Sequence, residues 1–115
     1  RKRERIMAEQ KQQQRIAGDR LRAFIASAFE AVDVPPNDAK TIAQLMAQAD
    51  INGSEGHGVF RLPQYIRRIK GKAVNVKPNI RVEREMAGMA LIHGDNGMGH
   101  LVMKFAAEKA IEKAK

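Results

Sequence analysis

The chain has 115 residues, 21 lysines and arginines against 13 aspartates and glutamates, 43% apolar residues and no cysteine. That length allows one domain with a core, and the apolar share is above that of disordered chains. Lack of cysteine excludes a disulfide scaffold, a thiolate zinc site and a thiol nucleophile, and no apolar run approaches the ~18 residues that span a bilayer.

Residues 1–15 read as a polar, basic extension. Positions 1–22 hold eight bases and three acids, a net +5 out of the total of +8, and Gln12-Gln13-Gln14 supply no apolar anchor. The opening residues lack the apolar stretch of a secretory signal. From Leu21 the apolar residues recur at steps of three and four: Leu21, Phe24, Ile25, Ala28, Phe29, Val32. They share one face of a helix that Gly18-Asp19 can start and Pro35-Pro36 must stop, since proline lacks the amide and clashes with the preceding turn. Asn37 is the expected cap of a second helix, with a stripe of Ile42, Leu45, Met46 and Ala49, ended by Asn52-Gly53. The two helices should pack as a hairpin.

Positions 53–58 contain three glycines, too many for a helix to continue. A short helix follows near Pro63–Lys70, with Leu62, Tyr65, Ile66 and Ile69 toward the core. Ile80–Glu85 alternates apolar and charged residues as a half-exposed strand does. Met86–Gly88 form a turn, and Met89–Ile92, a continuous apolar run, reads as a more buried strand. After Asp95-Asn96-Gly97, the stripe Met98, Leu101, Val102, Phe105, Ala106, Ile111 marks a last helix. The whole is an α+β chain, mainly helical: helical hairpin, short helix, β-hairpin, C-terminal helix. A two-stranded ribbon is marginal alone, and the last helix reaches Lys115 with no capping glycine, so the pattern reads as the opening part of a larger fold.

Candidate chemistry is sparse. His57, flanked by Gly56 and Gly58 in a loop after a helix, can give and take a proton near neutral pH, and its ring can point into a cleft. Arg61, four residues on, can clamp a carboxylate through two parallel hydrogen bonds. Asp50 and Glu55 flank this loop, where either could orient the His57 ring, but the favoured reading of both is a neighbour of the helix end without a partner. His93 satisfies a local hydrogen bond. His100 lies in the first turn of the last helix behind Gly97-Met98-Gly99, where backbone amides can hold an anion, although the full dinucleotide fingerprint is missing. No carboxylates or histidines have metal-ligand spacing. A second basic cluster, Arg61, Arg67, Arg68, Lys70 and Lys72, supports an alternative reading as a small basic nucleic-acid-binding or interaction module. One Tyr, four Phe and no Trp leave few stacking platforms for bases.

Two strings carry a resemblance. Ala49-Asp50-Ile51-Asn52-Gly53 leading to His57-Gly58-Val59-Phe60-Arg61-Leu62-Pro63-Gln64-Tyr65 resembles the N-terminal region of the malate/L-lactate dehydrogenase family, the NAD(P)-dependent group outside the Rossmann class. Ala90 to His100 matches a second part of that region. The resemblance covers residues 16–115 and implies the N-terminal portion of a much longer, sulfolactate-dehydrogenase-like fold. It implies an oxidoreductase that moves hydride between NAD or NADP and a small 2-hydroxy/2-oxo acid, inactive as this piece alone. It also implies a cytoplasmic enzyme, homodimeric at full length, with a small carboxylate substrate and neither membrane nor nucleic acid as partner. The residue matching His57 is the family's proton donor to the substrate carbonyl, and the one matching Arg61 lies near the substrate carboxylate. Many relatives carry Ser immediately before that histidine; here it is Gly56, with no hydroxyl for a proton relay.

Overall fold

Helices in this chain stop where a residue takes up a left-handed conformation. In the computed structural model, which describes residues 2, 3 and 15–115, helix α1 (Gly18–Glu30) is followed by Asp33 at φ 70°. The Val34 amide then reaches back to the Phe29 carbonyl at 3.1 Å. Helix α2 (Pro36–Ile51) closes in the same way: Gly53 adopts φ 81° and the Ser54 amide donates to the Ala49 carbonyl at 2.8 Å. Glycine is suited to that turn because it has no Cβ to strain. Asn37 is not the cap of α2. The helix opens one residue earlier on Pro36, whose missing N–H needs no acceptor, and no side chain caps it. The expected extension at residues 1–15 lies almost entirely outside the described residues.

α1 and α2 pack as the expected hairpin around Ile25, Phe29, Ile42 and Met46, all fully buried. The phase of α2 differs from the predicted stripe. Ala39, Ala43 and Ala47 are buried, one turn apart, while Leu45 is 40% exposed. Alanines at that spacing let two helix backbones approach closely, and the larger Leu45 is left on the flank. Phe24, also predicted inside, is 61% exposed. Two short 3₁₀ turns, Glu55–His57 and Val59–Arg61, occupy the glycine-rich stretch and lead into α3 (Leu62–Lys70). Leu62 and Ile69 of α3 are buried, and Tyr65 and Ile66 pack half-buried against the same core.

Strands β1 (Arg81–Met86) and β2 (Met89–His93) form an antiparallel hairpin with Met86 opposite Met89 and a bulge between Val82 and Arg84. Helix α4 (Gly99–Ala114) packs on α2 and on β2. At Gly94 a Cβ would stand 3.0 Å from a Val102 methyl, so strand end and helix meet backbone to side chain. β2 is less buried than its apolar run suggests. Ala90 and Ile92 are half-buried, whereas Met89 and Leu91 are more than half exposed. A continuous apolar strand suits cover on both faces, and the one helix packed on it here is α4. The far end of α4 is tied to the hairpin by Lys113, which donates to Glu85 at 2.9 Å and to the Met86 carbonyl at 2.6 Å. That hydrogen bond, and then the charges of Lys109 and Lys113, hold the Glu85 carboxyl below its ordinary value. Among the described residues, no helix is long and apolar enough to cross a membrane.

Candidate active site

The end of α2 and the start of α3 hold the glycine-rich loop from both sides. Asp50, in the last turn of α2, accepts the Val59 amide on Oδ2 at 2.8 Å. Arg61 turns back and donates from Nε to the Gly56 carbonyl at 2.7 Å, and from an Nη to Gln64 Oε1 at 3.1 Å. His57 and Gly58 lie between these two straps. Arg61 therefore stands against the residue that precedes His57. These bonds engage two of its five N–H donors. His57 is exposed and packs in no core. Its backbone amide donates to the Ser54 carbonyl at 2.9 Å, which fixes where the ring is presented.

The glycines on either side of His57 differ. A Cβ on Gly56 meets nothing within 4 Å, whereas one on Gly58 would fall 1.9 Å from Asp50 Oδ1. Gly56→Ser, which adds the hydroxyl that the resemblance leads one to expect there, is thus expected to change the unfolding free energy by no more than about 0.5 kcal/mol. Thermal unfolding of the two chains checks this; a large loss would show that the loop is tighter than it looks.

A separate, more apolar cleft of about 1060 Å³ opens between α2, α3 and α4, lined by Leu45, Tyr65, Met98, His100, Met103 and Ile111 among others. Neither His57 nor Arg61 lines it. His100 projects from the first turn of α4 and meets Tyr65 edge to face, ring centres 5.4 Å apart at 90°. Its Nδ1 is buried without a hydrogen-bond partner. Burial first, and then the charge of His57, push the His100 imidazole below its ordinary 6.5. His57 and His100 are therefore electrostatic neighbours. Native His100 gives up its proton more readily than the unfolded chain does, so the unfolded state binds more protons in the window between the lowered value and 6.5. Stability should be full above 6.5 and fall as pH drops through that window. Urea titrations at several pH values check this, with His100→Phe flattening the dependence; an unchanged slope in the variant would refute the attribution.

The other sequence candidates fall elsewhere. His93 Nδ1 accepts the Asp95 amide at 3.0 Å, the local bond expected of it. Asp95 in turn accepts the Asn79 amide at 2.8 Å and the Asn75 side chain at 3.1 Å, clasping the 75–79 segment onto the turn before α4. Of the basic cluster, Arg67, Arg68, Lys70 and Lys72 are exposed, but Arg61 is half-buried and bonded inward, so the five do not form one surface. Among the described residues no group of His, Asp and Glu could hold a metal ion. The two glycines at the start of α4 differ: a Cβ on Gly99 would meet nothing within 4 Å, and both line the apolar cleft. A Cβ on Gly97 would stand 2.7 Å from Pro78, so that glycine is used for packing. Asp50 is not the partnerless helix-end acid that the sequence favours: it accepts a backbone amide of the loop. An acid in the last turn of a helix is disfavoured by the helix dipole, and that is the signal that could have marked it.

Comparison with known proteins gives a consistent result. The family model described as malate/L-lactate dehydrogenase matches residues 16–115. Malate dehydrogenase of Pyrococcus horikoshii is 44% identical over 101 residues, 88% of this chain and 28% of that protein. L-sulfolactate dehydrogenase of Methanocaldococcus jannaschii is 41% identical over 92 residues, 80% of this chain and 27% of that protein. The solved Pyrococcus horikoshii structure superposes with a TM-score of 0.84 at 42% identity, covering 88% of this chain and 29% of that one. The Methanocaldococcus jannaschii structure gives 0.82 at 37% identity, with 86% and 29% covered. The chain thus spans less than a third of the length of these relatives.

Proposed function

The chain belongs to the malate/L-lactate dehydrogenase family, and from that premise we propose that it forms the proton-donating, carboxylate-holding part of an enzyme that interconverts small 2-oxo and 2-hydroxy acids. The observation that carries this reading is the Arg61 guanidinium bonded to the carbonyl of Gly56, immediately before His57. Acid group and clamp share one short loop, so a substrate carboxylate held by Arg61 sets its neighbouring carbonyl beside the imidazole. In reduction, a bound NADH or NADPH would supply the hydride that C2 of the oxo acid takes up. His57 gives a proton to the carbonyl oxygen, which would otherwise carry the negative charge. Such help is worth about 10²–10⁴ in rate, or roughly 3–5 kcal/mol of barrier. Arg61 contributes by orientation, fixing the acid so that carbonyl and proton meet in one geometry. Homodimerisation belongs to the same proposal, supported by apolar side chains such as Phe60, 78% exposed, that stand bare at this loop.

The test is a hybrid in which residues 16–115 replace the matching segment of the Pyrococcus horikoshii dehydrogenase. The folded hybrid is expected to oxidise NADH or NADPH in the presence of oxaloacetate or another 2-oxo acid. A folded hybrid that binds the nucleotide but reduces none of them would overturn the reading.

A further inference from the structure

Between the two straps on the His57 loop, the one from α2 has a property the other lacks: it is interlocked. Gly58 is buried with φ −96° and ψ −148°, so no left-handed backbone calls for glycine there. What calls for it is space. A Cβ at that position would stand 1.9 Å from Asp50 Oδ1 and 2.1 Å from its Cγ, far inside contact. The other oxygen of the same carboxylate takes the next amide, Val59, at 2.8 Å. An aspartate at a helix C-terminus works against the helix dipole, and this backbone bond offsets that penalty. The bond runs to the main chain on the far side of His57 from the Arg61–Gly56 strap. With both in place, the peptide units around His57 are held at each end.

We propose that Asp50 is the positioning residue of this site, its carboxylate locked onto Gly58 and Val59 so that the His57 backbone is fixed over Arg61. Asp50 acts through the main chain and not on the imidazole. The catalytic half of the proposal rests on the reading of His57 given above; the structural half does not. A displaced proton donor costs rate out of proportion to the shift, about 10²-fold for 1 Å.

The hybrid dehydrogenase provides the test, read in two ways. Hydrogen exchange followed by mass spectrometry of the peptide over Gly56–Arg61 reports the loop, and kcat and KM report the chemistry. Asp50→Ala is expected to speed exchange in that peptide and lower kcat about 10²-fold, with KM for the nucleotide unchanged. Asp50→Asn keeps an acceptor of the same shape and should recover most of the loss. Gly58→Ala should be as harmful as Asp50→Ala, and the double variant should be milder than the sum, because the new methyl enters the space the carboxylate left. Unchanged exchange or kcat in Asp50→Ala, no recovery in Asp50→Asn, or strictly additive effects of the pair would each overturn the proposal. Should Asp50→Ala not fold, Asp50→Asn against Gly58→Ala decides. If the exchange results hold while His57→Ala keeps full activity, the catalytic half falls with the reading of His57 and the loop lock stands.

Discussion

Replacing His57 with alanine in the hybrid dehydrogenase is expected to lower reductive turnover about 10²–10⁴-fold. The loss should fall on kcat, because in the proposed mechanism the imidazole acts only as charge develops on the carbonyl oxygen, whereas Arg61 would hold the carboxylate equally in ground and transition states. KM for the oxo acid should therefore change little, and nucleotide binding not at all. The variant should also lose the fall in reductive rate that accompanies deprotonation of a general acid as pH rises. Steady-state rates across pH, with nucleotide binding measured by fluorescence, check all three. Turnover within a fewfold of the parent would remove His57 from the mechanism. The exposure of His57 does not argue against its role, since a proton donor must reach a ligand; a fully packed imidazole could not.

The second large effect is on the fold. Phe29 is fully buried between α1 and α2, and Phe29→Ala should cost about 3–5 kcal/mol through lost apolar burial and the cavity left behind. Small domains are stable by roughly 5–15 kcal/mol in total, so the cooperative unfolding transition of the 115-residue chain should weaken severely or vanish. Phe24→Ala is the control. It alters the same residue type on the same helix, but Phe24 is 61% exposed, and its loss should stay below about 1 kcal/mol. Urea unfolding of the two variants decides. Equal destabilisation would mean that the α1–α2 packing is not the main support of the chain.

The contrast between these phenylalanines shows how far the residues alone reach. Helical spacing places Phe24, Ile25 and Phe29 together, because periodicity reports a face about a third of a turn wide. It does not say which edge of that face another helix covers. In α2 the expected Ile42 and Met46 are buried, but the rest of the buried face is made of alanines, which carry little weight in an apolar pattern, and Leu45 stands on the flank. The continuous apolar run of β2 suggests a more buried strand, yet Met89 and Leu91 are more than half exposed.

At the candidate site the division is similar. His57, Arg61 and the glycines around them are legible as motif and chemistry, and the family match follows from the same strings. That Arg61 bonds back to Gly56, and that Asp50 needs Gly58 bare, are contacts five to nine residues apart that no spacing rule encodes. By itself the sequence determined which stretches form helices and strands, with their ends placed to within about one or two residues, and which side chains can move a proton or hold a carboxylate, because backbone stereochemistry and side-chain chemistry are local. Only the tertiary structure decided which apolar residues are buried, which glycine is required for space and which acid steadies the loop, because each depends on what another part of the chain places against it.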